Sequence, residues 1–533
     1  MTAQTARLSI QHITRPFPNK LIVIFKDKYN SASVCAPVVS GLLLALAFPK
    51  AELGWVAWLA LVPLFSVMQQ RPWRAGFSAG VVFFAVVLYW LNNVMTTFGN
   101  LPLALSVAIY LLLVLYLAAY WGATCWCACR ICRRLQLPMA LVLPVVWVVF
   151  EYGRNYILSG FPWGNIAYSQ TPYPVLIQSA DLGGVYVLVF LLVLVNSTIT
   201  QCWQALRRRG ELPWRLVLVV TTLCLANYVY GLWRMHDINS RGQDQTMRVA
   251  LVQGNIQQSL KWQPHNMAAT LDNYAQLSAS VDRPDLLIWP ESATPFFFQD
   301  GGIKANRVLS VARQQQSMLL FGSPAYRLQG EGSDQRYRYL NSAYLLSPQG
   351  KTLGRSDKIH LVPFGEYVPL ANLLSFVNKL ADGVGDFVSG TKALLPIADH
   401  QVGVLVCYEA IFPDIARKQV NGGAQLLVNI TNDSWFGDSS APWQHLAMTC
   451  WRAVENRVWI ARCANSGVSA FINPVGEVIS QSHLFQRETL SAQVYFADDT
   501  SLYTRTGDTV PLLLSLVVIT WLWQSRKRKI LHQ

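Results

Sequence analysis

"GVLVCYEAIFPDIARK", residues 403–418, carries an apolar run that stops abruptly at Cys407. An aromatic residue and an acid, Tyr408 and Glu409, come next, and then a helix-compatible stretch with Pro413 in its first turn. Proline is tolerated there because the first helical N–H groups have no partner inside the helix. The stretch reads as a buried strand, a tight turn and a helix, with a thiol at the strand's carboxyl end. Such a thiol is either an inert core group or a nucleophile.

Runs of the same kind recur on both sides: "MRVALVQ" (247–253), "DLLIW" (285–289), "SMLLF" (317–321), "QLLVNI" (425–430) and "GVSAFI" (467–472). Short apolar runs of this type read as buried strands. Helical patterns over 265–280 and 303–315 alternate with them, so residues 245–500 are expected to form an α/β domain. In such sheets ligands gather beyond the carboxyl ends of the strands. Those ends supply Glu291 in "WPESATP" (289–295) and Cys407. The loop "SDKIHLVPFGEYVP" (356–369) supplies Lys358 and Glu366.

The rest of the chain is different. Overall it is 52% hydrophobic and only 14% charged, where about a quarter is usual for charge. The apolar excess lies before residue 235, with one more run near the C-terminus. A helix needs roughly 20 apolar residues to cross the hydrocarbon core. Eight spans are expected near 34–49, 54–69, 75–95, 101–128, 137–153, 174–200, 213–234 and 509–524. Residues 34–235 then form a seven-span transmembrane domain, and 509–524 the eighth helix. Residues 1–33 read as a cytoplasmic tail without a signal-peptide cleavage site, and 525–533 as a basic cytoplasmic tail.

The net charge of +14 is placed where topology needs it. Lys20, Lys26 and Lys28 precede the first span, and Arg71 and Arg74 follow the second. Arg130, Arg133 and Arg134 follow the fourth, Arg207, Arg208 and Arg209 the sixth, and "RKRK" (526–529) the eighth. "NNVMTTFGN" (92–100), on the other side, has no basic residue. By the positive-inside rule both termini are cytoplasmic and the soluble domain lies outside, close to the outer leaflet. This distribution argues against nucleic acid as a partner.

A thiol attacks a carbonyl carbon as thiolate, and near neutral pH a free cysteine is mostly protonated. A partly desolvated carboxylate in reach can take the proton. A fixed ammonium, with the N–H after Cys407, can stabilise the oxyanion that follows. A second acid keeps that ammonium charged. Glu291, Lys358, Cys407 and Glu366 have the types for these parts, but periodicity alone does not bring them together.

Glu in "WPES", Lys in "SDKIHLVPFGEYVP" and Cys in "VCYE", in that order, resemble the nitrilase superfamily. "NITNDSWFG" (429–437) is similar to the stretch that follows its nucleophile. Seven spans, this domain and one further span resemble the membrane-bound branch that N-acylates bacterial lipoproteins. "VQGNIQQSLKW" (252–262) and "SGFPWGNIAYSQ" (159–170) fit that branch as well. The resemblance implies an α-β-β-α sandwich with Glu291 as base, Lys358 as oxyanion stabiliser and Cys407 as nucleophile. Glu366 would support the lysine, and Tyr408, Glu409 and Trp262 would shape the substrate pocket. It implies a phospholipid acyl donor and, as acceptor, the α-amine of a diacylglyceryl-modified apolipoprotein. The reaction would run by ping-pong through a thioester at the bacterial inner membrane, with the catalytic domain periplasmic. It implies no cofactor and no metal; a monomer is the default expectation.

Other features carry less. "CWCACRIC" (125–132) holds Cys125, Cys127, Cys129 and Cys132, but helical spacing points these thiols in different directions, against a metal site. Cys450 and Cys463 are either buried free thiols or a disulfide. His360 and His445 are given structural or solvent-facing roles. Glu151 and Arg154 read as an interfacial pair, or as contacts to headgroups. "PFFF" (295–298) and "LLSFV" (373–377) are expected to be lids dipping into the bilayer. The rival readings are a membrane-tethered nitrilase-type amidase acting on a small amide, and a receptor or transporter with a degenerate domain.

Overall fold

The structure is a computed structural model that describes residues 31–241, 246–330, 335–363, 365–367, 387–497 and 499–530. Among these, four helices are long and apolar enough to cross a membrane: Leu103–Leu135, Tyr186–Arg207, Trp214–Ser240 and Thr509–Lys527. A fifth span is possible in the bent pair Pro72–Val87 and Leu91–Phe98, which turn by 56° at their break. Of the eight expected spans, four match these helices, and the others fall on shorter or broken apolar helices. The first apolar run is the helix Ser31–Leu46. The second breaks into a 3₁₀ turn, Gly54–Trp58, and the short helix Val62–Val67. Met139–Arg154 has 16 residues with Pro144 inside. The run at 174–200 is helical without a break only from Tyr186. Leu44, Leu61 and Leu64 are almost completely buried, whereas Val34, Val39, Leu42 and Leu46 of the first helix are exposed.

Among the described residues, twelve strands build the second part: β1 (Thr246–Gln253), β2 (Leu286–Ile288), β3 (Met318–Gln329), β4 (Arg336–Leu346), β5 (Thr352–Asp357), β6 (Leu395–Ile397), β7 (His400–Val406), β8 (Leu426–Thr431), β9 (Trp459–Ala464), β10 (Ala470–Ile472), β11 (Val478–Gln481) and β12 (Glu488–Tyr495). They form two six-stranded sheets, ordered β12-β1-β2-β3-β4-β5 and β11-β10-β9-β8-β7-β6. β1, β2 and β3 run parallel, as do β7, β8 and β9. Alternation along each strand splits the side chains between two layers. Val249, Leu251, Val404, Val406, Val428 and Ile430 meet between the sheets. Ala250, Val252, Leu287 and Leu319 face outward onto the helices Met267–Ala279 and Gly302–Gln315. Leu405, Leu427 and Ile460 face the other way, toward the helices Pro413–Asn421 and Ala441–Asn456. The architecture is the expected α-β-β-α sandwich.

Ala441–Asn456 is buried on both sides because its outer face rests on the apolar helical part. Trp163 donates its indole N–H to Gln444 (2.6 Å), Trp451 to Thr171 (2.9 Å), and Arg452 reaches the Tyr168 hydroxyl (3.2 Å). The stretch "SGFPWGNIAYSQ" is therefore a docking loop. It is held from behind by Arg154, which donates to the carbonyls of Phe161 and Trp163 and pairs with Glu151 at 2.5 Å. Glu151 and Arg154 are buried, so they brace the loop rather than meet headgroups. "PFFF" is also corrected: Phe298 packs on Phe321 and Tyr344 in the core, and Phe297 on Tyr326 and Tyr339. "LLSFV" lies outside the described residues.

Asp181 anchors the other end of the same interface. It accepts from Arg457 (2.8 Å), Arg234 (2.9 Å) and the Tyr230 hydroxyl (2.8 Å). Asp181→Ala leaves buried guanidinium charge without its partner, a loss of about 3–5 kcal/mol. The expected outcome is a clear fall in the thermal unfolding midpoint of the detergent-solubilised protein; an unchanged midpoint contradicts the anchor.

Candidate active site

Three chain segments arrive at one end of the sandwich. β2 ends at Ile288, and Trp289 and Pro290 lead to Glu291. That loop crosses β3 at Gly322, where a Cβ would lie 2.5 Å from the Ser292 nitrogen and 2.6 Å from the Glu291 Cα. Only glycine permits this approach. β5 ends at Asp357, and Lys358 follows, its N–H donating to the Asn341 carbonyl at 2.8 Å. β7 ends at Val406 and Cys407 follows with φ +52°. A non-glycine residue enters this left-handed region at a cost of about 1–2 kcal/mol, so the turn is held there by its surroundings.

Lys358 Nζ lies 2.8 Å from Glu366 Oε2, 2.9 Å from Glu366 Oε1 and 3.9 Å from Glu291 Oε1. Asn341 Nδ2 donates to both carboxylates, at 2.7 Å to Glu291 and 3.0 Å to Glu366. Glu366 also accepts the Val362 N–H at 2.8 Å. Lys261 is fully buried and donates from Nζ to the Glu291 carbonyl at 3.1 Å. Glu291 and Lys358 are nearly inaccessible, whereas Cys407 is half-buried.

The charges respond to one another. Burial pulls Lys358 toward neutrality, but Glu366, then Glu291 and the Cys407 thiol, outweigh it and hold the ammonium well above the usual lysine range. Burial raises the Glu291 carboxyl, opposed by Lys358 and reinforced by Glu366. Burial, then the charge of Glu291, push the Cys407 thiol up to about 12, against the charge of Lys358. Lys261 is drawn down to about 8 by burial, with Glu291 opposing. The resting thiol is thus neutral, beside a carboxylate whose proton affinity is raised and an ammonium that stays charged. That set can deprotonate a thiol as it attacks and stabilise the resulting oxyanion.

Of the residues expected at the site, Glu291, Lys358 and Glu366 are in direct contact, and the charges of the first two act on Cys407. Tyr408 packs on His360 and Phe412 beside it. Glu409 ties the end of β7 to the loop after β5. It accepts from the N–H groups of Val406 (2.8 Å), Ile359 (2.7 Å) and His360 (3.2 Å) and pairs with Lys392. Trp262 is half-buried and follows the residue that holds the Glu291 backbone. Asn341 and Lys261 were not legible as site residues. Asn341 lies inside a strand without an apolar run, and Lys261, although within "VQGNIQQSLKW", carries no signal of burial. Cys450 and Cys463 are free thiols.

The geometry defines a carbon–nitrogen-hydrolase-type domain carried on apolar helices, and residues 248–502 match the carbon-nitrogen hydrolase family. Residues 40–198 match the apolipoprotein N-acyltransferase N-terminal domain. An apolipoprotein N-acyltransferase of Geobacter metallireducens is 43% identical over 88% of this chain and 91% of its own length. Another, of Azotobacter vinelandii, is 33% identical over 86% and 88%. The chain belongs to the apolipoprotein N-acyltransferase family. Among solved structures, the NitN amidase of Nesterenkonia sp. AN1 aligns over 51% of this chain and 99% of its own, at 22% identity and a TM-score of 0.36.

The charge arrangement makes a signed prediction. Alkylation of Cys407 by a small neutral electrophile should rise with pH toward a midpoint of about 12. Glu291→Gln removes a negative charge and moves the curve to lower pH; Lys358→Met removes a positive one and moves it higher. Either shift in the opposite direction contradicts the arrangement.

Proposed function

We propose that this protein transfers an acyl chain from a membrane phospholipid to the α-amine of the S-diacylglyceryl cysteine that begins a lipoprotein. The observation that carries the reading is the cluster of Lys358 between Glu366 and Glu291, with its charge acting on the Cys407 thiol. Cys407 Sγ attacks the ester carbonyl and its proton passes to Glu291. The S–C bond forms, the ester C–O bond breaks, and the departing lysophospholipid oxygen takes the proton back. The acceptor amine then attacks the thioester, again giving a proton to Glu291. The C–N bond forms, the C–S bond breaks, and the thiolate recovers its proton. Both steps pass through an oxyanion facing Lys358 and the N–H of Tyr408. Glu366 keeps the ammonium charged, while Tyr408 and Trp262 shape the pocket beside the thiol.

Both substrates are anchored in a bilayer, which gives the apolar helices their purpose. They seat the catalytic end where lipid can reach it, and exclusion of water keeps the thioester from hydrolysing. We take residues 34–235 and 509–524 as the membrane part of a bacterial inner-membrane enzyme. The catalytic domain, 245–500, lies on the periplasmic side and the termini, 1–33 and 525–533, in the cytoplasm. An amidase acting on a small soluble amide gains nothing from these helices.

Incubation of the purified protein with labelled phospholipid should leave a hydroxylamine-sensitive acyl group on Cys407, and a diacylglyceryl peptide should discharge it as an amide. Cys407→Ala abolishes both. Lys358→Met lowers the acylation rate by roughly 10²–10³-fold, as expected for loss of an oxyanion donor. Acyl transfer by Cys407→Ala sinks the assignment.

A further inference from the structure

Behind Cys407 lies a second buried polar group that the acyl-transfer steps do not use. His445, on the helix Ala441–Asn456, places Nε2 3.2 Å from the Cys407 carbonyl oxygen. Its Nδ1 lies 3.2 Å from both Arg462 Nη2 and Asp433 Oδ1. Arg462 pairs with Asp433 Oδ2 at 2.7 Å and also bonds Asn429. Thr431 donates to Asp433 Oδ1 at 2.9 Å. Gly467 leaves the space: a Cβ there would sit 2.2 Å from Asp433 Oδ2. His445, Asp433 and Arg462 are almost wholly inaccessible. The His445 ring packs on Trp163 of the docking loop (5.9 Å) and on Phe436 (6.2 Å).

The partners select one tautomer. A carbonyl oxygen only accepts, so Nε2 must carry hydrogen. Arg462 only donates, so Nδ1 is free to accept from it, and Asp433 is satisfied by Arg462 and Thr431. The neutral Nε2–H ring fits the Cys407 carbonyl and Arg462, and the bare Nδ1, 3.2 Å from Asp433 Oδ1, makes no hydrogen bond to that carboxylate. Burial, then the nearby Arg462 charge, hold the imidazole below its ordinary range, and Asp433 is held ionised at about 2. The hydrogen bond lands on the residue whose backbone is in the left-handed region. Its carbonyl accepts from the helix Ala441–Asn456.

We infer that His445 is a positioning residue for the nucleophile: its Nε2–H holds the Cys407 carbonyl and so fixes the turn that presents Sγ. Arg462, donating to Nδ1, locks the ring in the donating tautomer, and Asp433 holds the Arg462 guanidinium in place. Trp163 and Gln444 fix the same helix to the apolar part, so the thiol and the lipid-facing helices share one rigid mount. The inference rests on Cys407 being the nucleophile.

The test compares full-length His445→Gln, whose amide N–H can reach the carbonyl, with His445→Phe, which keeps a ring against Trp163 and has no donor. His445→Phe should slow single-turnover acylation of Cys407 from labelled phospholipid by roughly 10²-fold, the scale of a displaced reacting group. The half-saturating lipid concentration should stay the same, and His445→Gln should restore most of the rate. Should His445→Phe not fold, His445→Asn replaces it, since its shorter amide stops short of the carbonyl and is expected to be slow. Acylation at the parental rate by His445→Phe or His445→Asn overturns the inference, as does a His445→Gln protein as slow as either. Alkylation of Cys407 by iodoacetamide, read by peptide mass spectrometry, should follow the same order. That readout keeps its meaning even where Cys407→Ala retains acyl transfer and the nucleophile assignment itself fails.

Discussion

A single ammonium set among buried carboxylates is the constraint on which the site depends. Taking Lys358 out of water costs several kcal/mol unless its charge is matched. Glu366 matches it at 2.8 Å, and Glu291 stands at 3.9 Å, close enough to feel the charge without being quenched by a direct bond. Asn341 bridges the two acids and sets their spacing. Breaking this balance would either neutralise the lysine or lower the proton affinity of Glu291. The parallel strands of both sheets must therefore end on the same side, because Glu291 and Lys358 come from one sheet and Cys407 from the other.

The mount of that end is as important as the charges. The helix Ala441–Asn456 touches the catalytic sheet with one face and the docking loop with the other. Trp163, Tyr168 and Asp181 on the apolar side each meet a polar partner across this buried interface, and Arg154 braces the loop behind them. Charge pairs buried in this way favour one arrangement over sliding alternatives, since any shift leaves a desolvated charge alone.

The legible part of this fold was the part written in uninterrupted apolar runs. The strands bearing Glu291 and Cys407 read directly, because they are buried on both faces. β9 did not, since Arg462 interrupts "WIARCA" with a charge that only tertiary contacts explain. β4 was hidden by its Arg- and Tyr-rich start. Spacing alone could not bring Glu291, Lys358 and Cys407 together; that came from resemblance, and the fold supplied the distances. The apolar helices "SASVCAPVVSGLLLAL" and "VPLFSV" were legible as apolar segments, but their lengths alone do not count them as spans. His445 was set aside as structural, and nothing in the local sequence pointed its ring at the Cys407 carbonyl.

The central claim is that the acid, the ammonium and the sulfur meet at the end of the sandwich that faces the apolar helices. The most direct measurement is an experimental structure of the protein in lipid nanodiscs, trapped after acylation in the absence of acceptor. The account predicts an acyl chain on Cys407 running toward the apolar helices, with its thioester oxygen within hydrogen-bond distance of Lys358. A chain directed away from those helices, or a thioester oxygen out of reach of Lys358, would contradict it.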